Sequence, residues 1–273
     1  MVFALTACVS ILAVALICVF LFANGVPGML KIGLKEFLTG QKWKPSSGIY
    51  GILPFILGSL EVTAGALIVG VPAGLMTALY LSRFASRRMA KLLRPAVSLL
   101  AGIPSVVYGF FGLVVLVPLV REYLGGTGSS VLTASVLLGM MILPTIITVS
   151  ESALNAVPDS YYEGALALGA SHERSVFRVV LPAARSGVMA GIMLGVGRAV
   201  GEATAVMMVA GNRTTMPKDI LKGVRTLTSN IVLEMGYATD LHREALVATA
   251  VVLFVLILLI NLLTSILKRR GKG

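Results

Sequence analysis

Six stretches of the chain run apolar for about the 20 residues that a helix needs to cross a bilayer. They fall at 2–23, 56–82, 96–120, 131–150, 187–210 and 246–267. The pattern predicts an all-α chain with six transmembrane helices. The first stretch is longer than the ~7–15-residue apolar region of a signal peptide and no basic residue precedes it, so it is expected to stay as a helix.

Composition turns that pattern into a class. Charged residues make up 13%, against ~25% in soluble domains, and mean hydropathy is +0.93. This is the composition of an integral membrane protein. The net charge of +11 would suggest nucleic acid in a soluble chain. Here the charges cluster between apolar runs, which points to membrane topology and to no nucleic acid. Arg83, Arg87, Arg88, Lys91 and Arg94 crowd a short connection at 83–95, and Arg174, Arg178 and Arg185 lie in 151–186. Lys268, Arg269, Arg270 and Lys272 form a basic tail, 268–273. The positive-inside rule places these three segments, and both termini, in the cytoplasm. Cys8 and Cys18 share one helix and cannot pair. His172 and His242 do not form a metal-ligand spacing, so no metal is expected.

Connection 151–186 is patterned. Ser160 and Glu163 have capping-box spacing, which predicts a short helix from Tyr161 to Leu168. Gly169 stands where a left-handed residue closes a helix. A second helix is predicted from Ser171, with Val176, Phe177 and Val180 on one face and Pro182 at its end. An ordinary amphipathic loop at the membrane surface fits the same caps.

The fifth stretch holds two charges, Arg198 and Glu202. Arg198 lies near the midplane, where an unpaired charge costs ~2.5–3.5 kcal/mol or more. Glu202, four residues on, is expected on the same helical face as its partner. Gly187, Gly191 and Gly195 form a small-residue stripe on that face, which lets another helix approach. The pair reads as a functional site, a packing ion pair or a proton relay. Pro104 and Pro118, with Gly102, Gly109 and Gly112, mark the third stretch as either broken or kinked. Ser105 is a candidate donor to an anion. Pro72 and Gly74 suggest a kink. The segment 220–235 is expected as an interfacial helix. With 24–55, which carries Trp43, it forms the opposite surface.

The loop spacing then carries a resemblance. Glu163-Gly164-Ala165, three residues, Gly169, nine residues, Val179, one residue and Leu181-Pro182 resembles the EAA loop of ABC importer permeases, with Gly164 for Ala and Val179 for Ile. Further stretches resemble the PstC-type permease subunits of high-affinity phosphate importers. These are Leu100-Ala101-Gly102-Ile103-Pro104-Ser105, Gly197-Arg198-Ala199-Val200-Gly201-Glu202, Tyr50-Gly51-Ile52-Leu53-Pro54-Phe55 and Arg225-Thr226-Leu227-Thr228. The resemblance runs from about Tyr50 to the tail.

The resemblance implies a type I ABC importer permease fold. It divides the chain into a first helix with its outer loop (1–55), a permease core (56–267) with coupling loop 151–186, and the tail. It implies that Glu163, Gly164, Ala165, Gly169, Leu181 and Pro182 dock on an ATPase. It makes Arg198, Glu202 and Ser105 the path for inorganic phosphate. The implied partners are a similar PstA-type permease, a PstB-type ATPase dimer and an extracytoplasmic PstS-type phosphate-binding protein. The place is a bacterial or archaeal cytoplasmic membrane. The chain has no GxxxxGK[ST] phosphate loop, so ATP would be used by the partner and the chain itself would be a transport subunit, with no cofactor of its own. A sister permease for sulfate or molybdate and a proton-coupled anion carrier using Arg198 and Glu202 are the competing readings. A membrane enzyme is disfavoured, because no nucleophile, base or metal set converges.

Overall fold

The computed structural model describes residues 2–270. The chain opens with α1 (Val2–Ile32) and a short α2 (Leu34–Thr39). A two-stranded hairpin follows, β1 (Trp43–Lys44) paired antiparallel with β2 (Ile49–Tyr50). Then come α3 (Leu53–Leu79), α4 (Arg87–Gly102), α5 (Ser105–Phe111), α6 (Val117–Leu124) and α7 (Val131–Asn155). The connection beyond holds α8 (Asp159–Ala167), α9 (His172–Ser175) and α10 (Leu181–Ala183). Last are α11 (Arg185–Gly201), α12 (Thr204–Val209), α13 (Leu227–Glu234) and α14 (Asp240–Arg270). Residues 271–273 of the basic tail lie outside the described residues.

Five helical stretches are long and apolar enough to cross a membrane: Leu5–Ile32, Leu53–Phe84, Ser105–Leu124, Val131–Asn155 and Asp240–Leu263. The sixth crossing is interrupted. The chain bends by 71° between His172–Ala183 and Arg185–Gly201. The 17 residues of α11 reach about 26 Å at 1.5 Å per residue, short of a ~30 Å core.

Two expected spans are therefore corrected. The stretch 96–120 is not one helix. Residues up to Gly102 complete the amphipathic α4, and the crossing begins at Ser105. Pro104 disfavours helical backbone at the residue before it, and Ile103 is extended at φ −69, ψ 125. The Tyr108 hydroxyl donates to the Leu100 carbonyl across the break, 3.0 Å. The stretch 187–210 is also divided, at Glu202, which is extended at φ −72, ψ 124. Pro72 is accommodated within a continuous α3.

Helix α7 is the most enclosed crossing and organises the bundle. Its neighbours approach over glycines. A Cβ on Gly70 would stand 2.8 Å from Ile142, and one on Gly74 would stand 2.8 Å from Ile146. A Cβ on Gly187 would lie 2.4 Å from the Ala153 Cβ, and on Gly195 3.0 Å from Ile146. The stripe Gly187, Gly191, Gly195 thus seats α11 on α7, as its spacing predicts.

The core forms three layers. The middle one gathers Ala66, Leu137, Ile142, Ala199, Ala205 and Val209 from α3, α7, α11 and α12. The hairpin end is packed by Phe37, Trp43, Phe55, Leu227 and Leu246. The opposite end, which carries α8 to α10, is packed by Leu79, Leu154, Val176, Val180 and Val188. Segment 220–235 is not an interfacial helix. Helix forms only over α13, whose Leu227, Ser229 and Asn230 are fully buried. The turn at 219–222 before it caps α7 instead, with Val131 N–H donating to Lys222 O and Leu132 N–H to Ile220 O.

Overpacking at these contacts should be costly. Gly187→Ala should lower the unfolding free energy by about 1–3 kcal/mol. Gly236→Ala, where no atom lies within 4 Å of the added Cβ, should be neutral. Thermal unfolding in detergent reads both.

Candidate functional site

The two breaks in the helices meet. Helix α5 starts just past the first and α12 just past the second, and they pack so closely that a Cβ on Gly109 would lie 2.6 Å from the Met208 sulfur and 3.0 Å from Ala205 Cα. Glu202 joins them. Its Oε1 accepts the Ala205 N–H at 3.1 Å, which is N-cap spacing and places a negative charge at a helix start. Its Oε2 accepts the Ser105 hydroxyl at 2.9 Å. The carboxylate thus ties α5 to α12.

This corrects the expected ion pair. Among the described residues, no salt bridge joins Arg198 to Glu202 within 4 Å. The α-helical register that would align them ends at Gly201. Each charge has its own compensation. Arg198 sits in the last turn of α11, where the helix carbonyls favour a cation. Glu202 sits where the N–H groups of α12 favour an anion. Ser105 is a positioning group here: its hydroxyl is committed to Glu202.

Arg198 is half-buried. The surface beside it is open. A Cβ on Gly197 or Gly201, its neighbours on α11, would meet nothing within 4 Å.

The second site is the loop 151–186. Ser160 does not cap α8: the helix starts one residue earlier, at Asp159 behind Pro158, with no side-chain cap. Glu163, Gly164 and Ala165 lie on α8, and Leu168, just past its end, is 91% accessible. The helix closes as expected. Gly169 has φ +83, Gly169 N–H donates to Leu166 O and Ala170 N–H to Ala165 O, which is a Schellman closure. Ser171 caps the next helix, accepting Arg174 N–H at 3.3 Å. Beside it, Glu173's own N–H and the Ser171 hydroxyl hold its carboxyl below the usual carboxylate range.

Val176 and Val180 are buried as predicted, whereas Phe177 is 43% exposed. Pro182 does not end the helix. A π-turn over Val176–Val180 accommodates its ring, and the helix runs through Leu181–Ala183 to the bend at Ala184. The loop is braced on the end of α3. Arg83 bonds Asp159 and the Leu154 carbonyl. The Tyr162 hydroxyl and His172 Nδ1 are 2.7 Å apart, and the His172 ring stands edge-on to Phe84 with centroids 4.6 Å apart.

Sequence reasoning missed a third cluster, at the hairpin end. Glu234 is buried and receives Trp43 Nε1–H at 2.8 Å and Arg225 Nη1–H. Arg225 is on Oε1, and His242 Nε2 is 2.8 Å from Oε2, the oxygen that also accepts from Trp43. The available signal was one acid, Glu234, in an apolar segment with Arg225 nine residues before it and His242 eight after.

The model of the "Binding-protein-dependent transport system inner membrane component" family matches residues 70–272. The chain is 40% identical over 276 residues to the probable ABC transporter permease protein YqgH of Bacillus subtilis, covering 98% of this chain and 89% of that one. It is 33% identical to the phosphate transport system permease protein PstC of Mesorhizobium japonicum, covering 89% and 81%. Among solved structures, a bacterial ABC transporter for import of the acidic polysaccharide alginate superimposes with a TM-score of 0.63 at 15% identity, covering 97% of this chain and 95% of that one. The MetNI methionine ABC transporter gives 0.60 at 23%, covering 81% and 94%.

Loop geometry gives a direct test. Gly169→Val forces a β-branched residue into left-handed backbone at about 1–2 kcal/mol or more, so the Ala170 amide should exchange hydrogen roughly tenfold faster. Gly164→Ala, with free space at the Cβ, should slow exchange across α8 by removing a ~1 kcal/mol helix penalty.

Proposed function

The chain belongs to the binding-protein-dependent transport system inner membrane component family, as a permease subunit of an ABC importer, and from that premise we propose that it forms the path for inorganic phosphate as a PstC-type subunit. The observation that carries this reading is Arg198. It is a guanidinium at bilayer depth, on an open face, without an acidic partner in contact. A planar donor fork suits a tetrahedral oxyanion. Glu202 is held back from it by Ser105 and the Ala205 amide, so the cation remains available to cargo. Gly197 and Gly201 leave room beside it on α11. The relative from Mesorhizobium japonicum supports the choice of phosphate by its name.

In this reading the open face meets a second, similar permease subunit, and the two enclose the path. The loop 151–186 lies in the cytoplasm and presents α8, with Glu163, Gly164 and Ala165, to a groove of an ATPase. ATP is hydrolysed by that partner. Leu181 and Pro182 stand at the bend before α11, and Leu181 packs on the same layer as Val176 and Val180, so a push on α8 reaches the helix that carries Arg198. The hairpin end faces outside, where a soluble binding protein delivers phosphate. The membrane is the cytoplasmic membrane and both termini are cytoplasmic.

Two experiments test this. In vesicles carrying the assembled transporter, ATP-dependent phosphate uptake should fall by about tenfold or more in Arg198→Gln, one tenfold step per 1.4 kcal/mol of lost binding, with assembly unchanged. Arg198→Lys should recover part of it, since a point charge replaces the fork. ATP-dependent uptake of sulfate or molybdate with no uptake of phosphate would assign a different oxyanion, and transport without the ATPase would assign a carrier. For topology, with Cys8 and Cys18 replaced by Ser, a cysteine at Tyr237 should react with an impermeant thiol reagent from outside. A cysteine at Arg88 should not, and the reverse pattern would invert the orientation.

A further inference from the structure

Helix α13 is tied at both ends. At its first turn, Leu227 N–H donates to Ser59 Oγ on α3 at 2.9 Å. Thr226 caps it by accepting Ser229 N–H. The Thr228 hydroxyl donates to the backbone carbonyl of Glu202 at 3.0 Å. That carbonyl is free to accept because the helix ladder is interrupted there. At the other end, Glu234 holds Trp43 of the hairpin, Arg225, and His242 at the start of α14. Arg225 returns to Asn230 within α13 at 3.0 Å.

The hairpin end of this assembly reaches the surface. Glu234, Tyr50 and His242 border an open crevice of about 540 Å³ together with Pro45, Ser46 and Tyr237. The eight residues of α13 span about 12 Å. A helix this short is marginal alone, so its position is set by its two anchorages and it moves with them as one body. A displacement of the hairpin or of His242 therefore shifts Thr228, and with it the peptide of Glu202. That peptide lies between the end of α11, which carries Arg198, and the start of α12.

We propose that α13 is a strut between the outer surface and the phosphate path, and that Thr228 is the positioning residue that transmits movement of the Glu234 cluster to Glu202. This rests on the reading of the chain as the path subunit served by an outer binding protein. Docking on the crevice side then alters the geometry of the path without contact between the docked protein and Arg198.

The test uses the complete transporter in vesicles with its binding protein, reading ATP hydrolysis with and without phosphate-loaded binding protein. Thr228→Val keeps the branched shape and removes the donor. It should lower the stimulation ratio about fivefold, the factor that one net hydrogen bond carries, with basal hydrolysis and assembly as in wild type. Thr228→Ser should restore the ratio to within about twofold. Glu234→Gln should lower the same ratio, and the Thr228→Val, Glu234→Gln double variant should be no worse than the weaker single one, as expected for two ends of one element. A wild-type ratio in Thr228→Val, or multiplying effects in the double variant, overturns the strut while leaving the phosphate reading in place. If Thr228→Val does not assemble, Ser59→Ala, which loosens the same end without touching Glu202, must lower the ratio, and an unchanged ratio overturns the proposal. A wild-type complex that neither imports phosphate nor responds to the binding protein overturns the functional reading and the strut with it.

Discussion

The Glu202 carboxylate is the constraint on which the rest of this subunit depends. A carboxylate at bilayer depth must be paired, hydrated or given hydrogen bonds. Here it takes the last course, and doing so requires the helix to stop. With the backbone extended at Glu202, its side chain accepts the Ala205 N–H in the first turn of α12 and the Ser105 hydroxyl across the break in the third crossing. The two interruptions therefore support one another. Neither would leave satisfied polar groups without its neighbour. The same geometry moves Glu202 away from Arg198, and the guanidinium at the end of α11 is left facing the open side of the subunit. The site's charge comes from the separation of two residues that a continuous helix would have paired.

The remaining architecture serves that separation. Helix α7 provides the fixed wall, against which α3 and α11 approach over glycines. The inner layer links the bend at Ala184 to the loop through Val176, Val180 and Leu181. Arg83 and His172 clamp α8 to the end of α3, so the loop is a rigid projection of the bundle. At the hairpin end the buried Glu234 performs the corresponding task. Its ion pair with Arg225 has side chains 8% and 14% accessible. Removing either partner would strand a buried charge, at a cost of about 3–5 kcal/mol.

Much of this was legible in the sequence. Hydropathy placed the apolar runs, because twenty apolar residues leave little alternative, but the run at 96–120 begins its crossing only at Ser105 and the run at 187–210 is divided at Glu202. The left-handed Gly169, the Ser171 cap and the buried Val176 and Val180 followed from local rules. The breaks did not. A hydropathy average does not register one extended residue, and proline alone is ambiguous: Pro27, Pro72, Pro95 and Pro144 all lie inside helices, whereas Pro104 ends one. The Arg198–Glu202 pair was drawn on an ideal helix, and four-residue spacing also suits a cation at one helix end and a cap at the next helix start. The burial of α13 was unreadable because Ser59 and Trp43, which hold it, are distant in sequence. The pattern of loop 151–186 is legible in its spacing, but its bracing by Arg83 and Phe84 needs the fold.

The claim that Glu202 joins the broken crossings and does not neutralise Arg198 is most directly tested by double-mutant cycles on the stability of the assembled permease. Ser105→Ala combined with Glu202→Gln should show a coupling energy of about 1–3 kcal/mol, as for a hydrogen bond to a charged group. Arg198→Gln combined with Glu202→Gln should be additive within about 0.5 kcal/mol. Strong coupling in the arginine cycle with none in the serine cycle would restore the intrahelical ion pair and contradict the account.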